Sequence, residues 1–199
     1  MECNKVTAVI LFISLISHVL TSAASESVCG DVTDCQALLK FKEAITSDPR
    51  GYLQAWNKAN SFCNWTGITC HPHLQNRVIA LELIDMGLQG VISSFLSNLS
   101  LLTSLSLYRN RFHGEIPSAL GRLPNLVYLN LSTNLLESEI PDLLQGCQSL
   151  EILDLSSNYL SGIPEELCSM KNLMHLNLAV NNLTGDMPSF LSKLTQLIE

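Results

Sequence analysis

Basic side chains are scarce in this 199-residue chain. Eleven Lys and Arg stand against 18 Asp and Glu, and only 15% of residues are charged. The net charge of −7 excludes the broad basic surface that nucleic acid binding requires. Catalytic signatures are missing too. No Gly-x-Ser-x-Gly, His-Glu-x-x-His or phosphate-loop pattern occurs, and His113 and His175 read by default as solvated surface histidines. Beyond residue 20 no apolar run is long enough to span a membrane. Nothing in the chain calls for a cofactor.

What the chain has is a repeat. Starting at Val78, its first leucine-like position recurs at Leu102, Leu126, Leu150, Leu173 and Leu197, a period of 24 residues with one unit of 23. Each unit approximates L-x-x-L-x-L-x-x-N-x-L-x-G-x-I-P, the signature of leucine-rich repeats. In the second unit Leu105 and Leu107 alternate with Ser104 and Ser106, a period of two that marks a short strand. One such unit cannot repay its own backbone entropy, so units must stack and share a core. Asn110, Asn134, Asn158 and Asn181 recur where the chain leaves the strand. Asn both donates and accepts, so these four are expected to form a ladder between coils. The first unit departs with Met86 at the Asn position, and the third carries Ser138 in place of Gly. The fourth lacks one residue between Gly162 and Ile163, which reads as a shorter loop and not a break.

Three regions follow. Residues 1–24 read as a secretory signal peptide: Lys5, an apolar run from Val6 to Leu20, and small residues at Ser22-Ala23-Ala24. Residues 25–77 read as an N-terminal cap that shields the first coil, and residues 78–199 as five repeats plus the start of a sixth. Four Asn-x-Ser/Thr sequons, at Asn64, Asn98, Asn130 and Asn182, suit a secreted glycoprotein. Asn98 is expected on the convex side, and Asn130 on the strand face.

In the cap, Thr33-x-x-Gln36 reads as a capping box, with Leu38, Phe41 and Ile45 on one helical face. Asp48-Pro49-Arg50-Gly51 stops that helix. Leu53 and Trp56 suggest a short amphipathic turn, and Phe62 to Cys70 a β-like segment. In an oxidising compartment Cys63 is expected to pair with Cys70. Cys29 with Cys35 is a second pairing, although spacing leaves other partners open for both. Cys147 takes a core position and Cys168 lies one place outside the core pattern; both are expected as free thiols. Cys63, Cys70, His71 and His73 offer four zinc-type donors, but their spacing is not that of a structural zinc site.

These motifs point to one family. Asp34-x-x-Ala37-Leu38-Leu39-x-Phe41-Lys42, Asp48-Pro49-x-Gly51-x-Leu53-x-x-Trp56-Asn57 and Phe62-Cys63-x-Trp65-x-Gly67-Ile68-x-Cys70 resemble the N-terminal cap of plant leucine-rich-repeat receptor-like kinases. The Gly-x-Ile-Pro repeats look like the plant-specific class. The resemblance covers Cys29 to Glu199 and is nearest to the many-repeat, pattern-recognition type. It implies an α/β solenoid: a right-handed superhelix with a parallel sheet on its concave face and a helical, disulfide-bonded cap. It implies an extracellular, cell-surface recognition module for peptide or protein ligands and co-receptor ectodomains, in immune or developmental signalling. It carries no kinase motif; such a domain, and any membrane span, would lie beyond Glu199, where a sixth unit is beginning. The alternative is a complete short secreted protein, acting as a co-receptor-like module or as an inhibitor of a cell-wall-degrading enzyme.

A ligand would meet the strand residues between the core leucines. Tyr108, Arg109 and Tyr128 form the group with hot-spot chemistry, because Tyr and Arg dominate interface energies. Asp154 and His175 are further concave-face candidates. The competing reading, an ordinary solvated scaffold surface, is the default for such side chains.

Overall fold

The computed structural model describes residues 29–74 and 76–184. The proposed leader at 1–24 and the start of the sixth unit lie outside them. The cap opens with α1 (Val32–Glu43) and β1 (Ile45–Ser47), and ends with β2 (Ile68–Cys70). The repeats supply β3 (Val78–Glu82), β4 (Gln89–Val91), β5 (Ser104–Ser106), β6 (Arg111–Gly114), β7 (Tyr128–Asn130), β8 (Leu135–Leu136), β9 (Ile152–Asp154) and β10 (His175–Asn177).

Two sheets result. The six-stranded one runs β10-β9-β7-β5-β3-β2, parallel except where β2 closes its end antiparallel to β3. The second runs β1-β4-β6-β8, with β1 of the cap antiparallel to β4. The repeat pattern predicts the first sheet. It does not announce the second, whose repeat strands follow the ladder position and, at two to four residues, are too short to show a period. Short 3₁₀ turns at Ser94–Asn98, Ser118–Arg122, Asp142–Gly146 and Glu165–Ser169 line the convex side. In the last three, the Pro of Ile-Pro sits at the N-cap. A locked φ and an absent N–H suit that place.

The ladder is built as the four Asn positions require. Asn134 Nδ2 donates to Leu107 O of the preceding coil and Leu131 O of its own, both at 3.0 Å, and its Oδ1 accepts from Phe112 N at 3.0 Å. Asn110, Asn158 and Asn181 repeat the pattern. Met86 leaves the first coil without its own amide, and Asn110 serves that turn from the next coil through Met86 N and Leu88 N. The residue before each ladder position is left-handed: Asp85, Arg109, Thr133, Ser157 and Val180 have φ of 54–57°. Ser138 is left-handed too, at φ 71°, close to Gly114 at 77° in the coil before. The short fourth unit keeps its pairing, with Glu139 bridged to Gly162.

The cap differs in detail from its sequence reading. The N-cap of α1 is Asp31, not Thr33: its carboxylate accepts from Thr33 N and Asp34 N, both at 3.0 Å. An ionised acceptor at a helix N-terminus outcompetes a hydroxyl two residues later. The Phe62–Cys70 segment is a 3₁₀ turn at Phe62–Asn64 followed by a strand of only three residues. Ser61 Oγ caps that turn, and the positive φ of Gly67 (81°) bends the chain before the strand. Both disulfides are present, Cys29–Cys35 and Cys63–Cys70. The two sulfurs offered above as zinc donors are therefore bonded to each other. Between the disulfides Phe41, Trp56, Phe62 and Trp65 pack ring to ring, and Phe41 also meets Phe112 of the second repeat at 5.9 Å.

A buried charge pair joins cap to repeats. Asp34 is fully buried and accepts from Arg77 Nε (2.9 Å), Arg77 Nη2 (2.8 Å) and Val78 N (2.9 Å). Arg77 Nη2 goes on to Ser100 Oγ at 3.1 Å. This fork-to-carboxylate geometry orients the first repeat strand on α1.

Cys147 and Cys168 are free thiols, the first buried with its Sγ 3.2 Å from Leu120 O, the second half-buried. Burial pushes the Cys147 thiol up to about 11. Two predictions follow from this core. Asn134→Ala leaves the Leu107 and Leu131 carbonyls and the Phe112 amide short of a partner in the interior. It should cost about 2–4 kcal/mol in urea unfolding. Cys147 holds its proton in the fold more tightly than in the unfolded chain, whose thiol titrates near ~8.5. Stability should therefore be flat below about pH 8 and fall as pH rises towards 11, and Cys147→Ala should flatten that decline.

Candidate functional site: the concave sheet and its edge

Register aligns the strand residues in rows across the coils. Ala80, Ser104, Tyr128, Ile152 and His175 form one row, and Glu82, Ser106, Asn130, Asp154 and Asn177 the next. Beyond the strand ends Asp85 N donates to Tyr108 O and Arg109 N to Ser132 O, so the alignment continues into the turn. Ile84 then lies beside Tyr108, and Asp85 beside Arg109.

This register divides the expected cluster in two. Tyr128 aligns with Ser104, four residues before Tyr108 on the neighbouring strand. Four extended residues span about 13 Å, so the two tyrosines lie at opposite ends of the strands. Tyr108 and Arg109 belong together: the guanidinium sits 5.9 Å from the Tyr108 ring centroid, and its Nε is 3.8 Å from Asp85 Oδ1. Ile84, 45% exposed, completes this end. Tyr128 belongs with Asn130, whose Nδ2 donates to its hydroxyl at 3.0 Å. His175 is exposed in the Tyr128 row with Ile152 between them. Asp154 is half-buried, and its Oδ1 accepts from Ser156 N and Oγ. Asn130 does the same with Ser132. Ser106 and Ser132 point to the concave side by alternation yet are only 2% exposed, so they form floor and not contact surface. Ser106 Oγ is without a hydrogen-bond partner among the described residues.

A feature hidden from the sequence adjoins the Tyr108 end. The Pro49–Arg50 turn of the cap overhangs the first two coils and, with Asp85, Gln89 and Arg111, walls a recess of about 370 Å³. Pairing of Ser47 with Gln89 fixes this approach. The Tyr52 hydroxyl, a hydrogen-bond acceptor at 3.2 Å, and Asp85 strengthen the hold of Arg50 on its charge. Neither Arg50 nor Arg111 pairs with a carboxylate within 4 Å among the described residues. Arg50, Arg109 and Arg111 thus gather at one edge of an otherwise acidic chain. No local signal could have found this, because Arg50 is some sixty residues from its companions in sequence.

Asn64, Asn98 and Asn182 are exposed, whereas Asn130 is half-buried with both amide atoms engaged. Among the described residues no helix is long and apolar enough to cross a membrane, and no group of three or more His, Cys, Asp or Glu is arranged to hold a metal.

With this geometry in place, comparison with known proteins agrees region by region. Residues 32–71 match the family described as leucine rich repeat N-terminal domain, and residues 101–123 and 136–183 match leucine rich repeats. A probable LRR receptor-like serine/threonine-protein kinase of Arabidopsis thaliana is 49% identical over 82 residues, 41% of this chain and 8% of the kinase. The matched stretch is thus less than a tenth of that relative's length. The crystal structure of the BIR2 ectodomain from Arabidopsis thaliana superposes with a TM-score of 0.74 at 41% identity, covering 80% of this chain and 85% of that one. A chain of the PEPR1–AtPEP1 complex superposes with a TM-score of 0.79 at 33% identity, covering 84% of this chain and 24% of that one. Cap, repeats and sequence identity agree: this chain belongs to the plant leucine-rich-repeat receptor-like kinase family, as an ectodomain segment of cap and repeats.

Proposed function

We propose that the chain is an extracellular recognition module, the N-terminal part of a receptor-like kinase ectodomain that binds a peptide or protein ligand and meets a co-receptor. Residues 1–24 act as its secretory leader, residues 25–77 as its cap, and residues 78–199 as the repeats that present the surface. The observation that carries this reading is the Tyr108–Arg109–Asp85–Ile84 end of the concave sheet. It combines an exposed aliphatic, an aromatic ring and a guanidinium on a rigid parallel sheet. Preorganised side chains of these types lose little entropy on binding. No enzymatic role is proposed for these residues.

The chain spans most of the BIR2 ectodomain, and this favours a second reading, a short ectodomain acting as a co-receptor-like module. Reading the transcript past the codon for Glu199 separates the two: further repeats support the first, a membrane span directly after a short repeat array the second.

The register makes the binding test sharper than one combined substitution. A Tyr108→Ala/Arg109→Ala pair and a Tyr128→Ala/His175→Ala pair probe opposite ends of the strands. Binding to candidate peptides and co-receptor ectodomains would be measured by calorimetry. The Tyr108/Arg109 pair should weaken binding about 30-fold or more, with the melting transition unchanged. Parent-like affinity in both pairs would remove the concave sheet as the contact surface.

A further inference from the structure

Asn98 heads the sequon Asn98-Leu99-Ser100 and is exposed at the end of the 3₁₀ turn Ser94–Asn98. Three residues earlier, Phe95 leaves 46% of its surface in solvent. The ring is thus only about half covered by the packing of the coils. The turn packs directly against α1, and the two elements enclose a recess of about 440 Å³. Phe95 and Asn98 form one wall; Leu39, Lys40 and Glu43 of α1, with Lys58, form the other. Lys40 and Glu43 are ion-paired at 2.6 Å with side chains 48% and 62% exposed, so both keep hydrogen-bonding capacity.

This chemistry suits a sugar. A pyranose ring presents an apolar C–H face that stacks on an aromatic ring, and a rim of hydroxyls that bonds ammonium and carboxylate groups. The recess offers both, and the acceptor amide for glycosylation stands in its wall. We propose that an N-linked glycan on Asn98 folds back into this recess. Its first N-acetylglucosamine stacks on Phe95 and its hydroxyls meet Lys40, Glu43 and Lys58, so the glycan fastens α1 to the first repeat. In its attachment, the Asn98 Nδ2 bonds to the sugar C1 of a lipid-diphosphate-linked oligosaccharide. The C1–O bond to the diphosphate breaks, the diphosphate leaves with that electron pair, and the amide loses one proton. The concave-face Asn130 contrasts with Asn98, because both of its amide atoms are already hydrogen-bonded. The inference concerns the convex side and stands independently of the ligand-recognition reading.

The full chain, secreted from insect cells, provides the test. Peptide mass analysis should find Asn98 occupied. Amide exchange at Ala37, Leu38 and Phe41 of α1 should then speed by about threefold to tenfold in Asn98→Gln and in Phe95→Ala. The double variant should exchange no faster than the faster single one, because either change removes the same contact. Trimming the glycan to a single N-acetylglucosamine should keep exchange slow. Ser100→Thr serves as the control that retains sequon and hydroxyl, since Ser100 Oγ also accepts from Arg77. An unmodified Asn98, exchange in α1 equal to the parent in Asn98→Gln, or strictly additive effects of the two substitutions would each overturn the proposal.

Discussion

Every coil of this molecule must turn twice, and each turn buries backbone groups that the sheets cannot satisfy. The side-chain amide of the ladder Asn is the solution on which the rest depends. It supplies a donor to carbonyls of two coils and an acceptor to the amide of the coil before. An apolar residue of similar size could fill the space but would leave those groups unpaired in the interior, at about 1–3 kcal/mol each. The left-handed residue before each Asn follows from the same demand. The chain must swing the amide inward within one residue of leaving the strand, and a positive φ achieves this at Arg109, Thr133, Ser157 and Val180, while Asp85 keeps the same φ before Met86. The conformational cost of that φ at the four non-glycine positions before an Asn is offset because each swing satisfies several buried groups at once.

The cap solves the complementary problem at the open end. The first repeat has no preceding coil, and its strand would present bare backbone and leucine to water. β2 covers the edge of one sheet and β1 the edge of the other, both antiparallel. Asp34 then fixes the junction by taking Val78 N, the first amide of the first repeat strand, along with the Arg77 fork. A buried carboxylate is costly unless fully bonded, and here three donors meet it. Two short-loop disulfides and the ring-to-ring packing of Phe41, Trp56, Phe62 and Trp65 hold the small cap rigid enough to keep that geometry. Phe41 reaches past the first repeat to Phe112, so cap and solenoid share one core.

What was legible in the sequence follows from this division. The concave sheet, the ladder and the core leucines repeat, so each position is read several times over: Leu105, Leu129 and Leu153 are one observation made thrice. The second sheet was not legible. Its strands carry no alternation of their own, and β1 joins it only because the cap folds back. Asp31 and Thr33 are both good capping residues by type, and only geometry ranks Asp31 first. The candidate surface was legible by composition but not by arrangement. Tyr108 and Tyr128 fall in successive repeats, but the register sets them at opposite ends of adjacent strands. Arg50 joins Arg111 only through the docking of the Asp48–Gly51 turn on Gly87 and Gln89, a contact between distant segments that no local pattern encodes.

The same geometry constrains how such a surface can recognise anything. Successive strands of a parallel sheet lie about 4.8 Å apart, whereas an extended peptide advances about 3.3 Å per residue. Three peptide residues therefore match two coils, and a ligand running along the solenoid meets equivalent positions only at every third residue. Ser106 of the middle row and Ser132 of the Tyr108 row are sunk between neighbours, whereas Glu82 and Asn177 leave the two ends of the middle row exposed. A ligand that follows one rim meets Ser104, Tyr128, Ile152 and His175; one that follows the other meets Ile84, Tyr108, Asp85 and Arg109, next to the Arg50–Arg111 recess. The first rim is almost uncharged and uneven in size, while the second concentrates a ring, an aliphatic and three guanidinium groups within the width of two coils. Under the recognition role proposed above, selectivity for a charged partner would reside at the second rim, where the cap and the first two repeats meet.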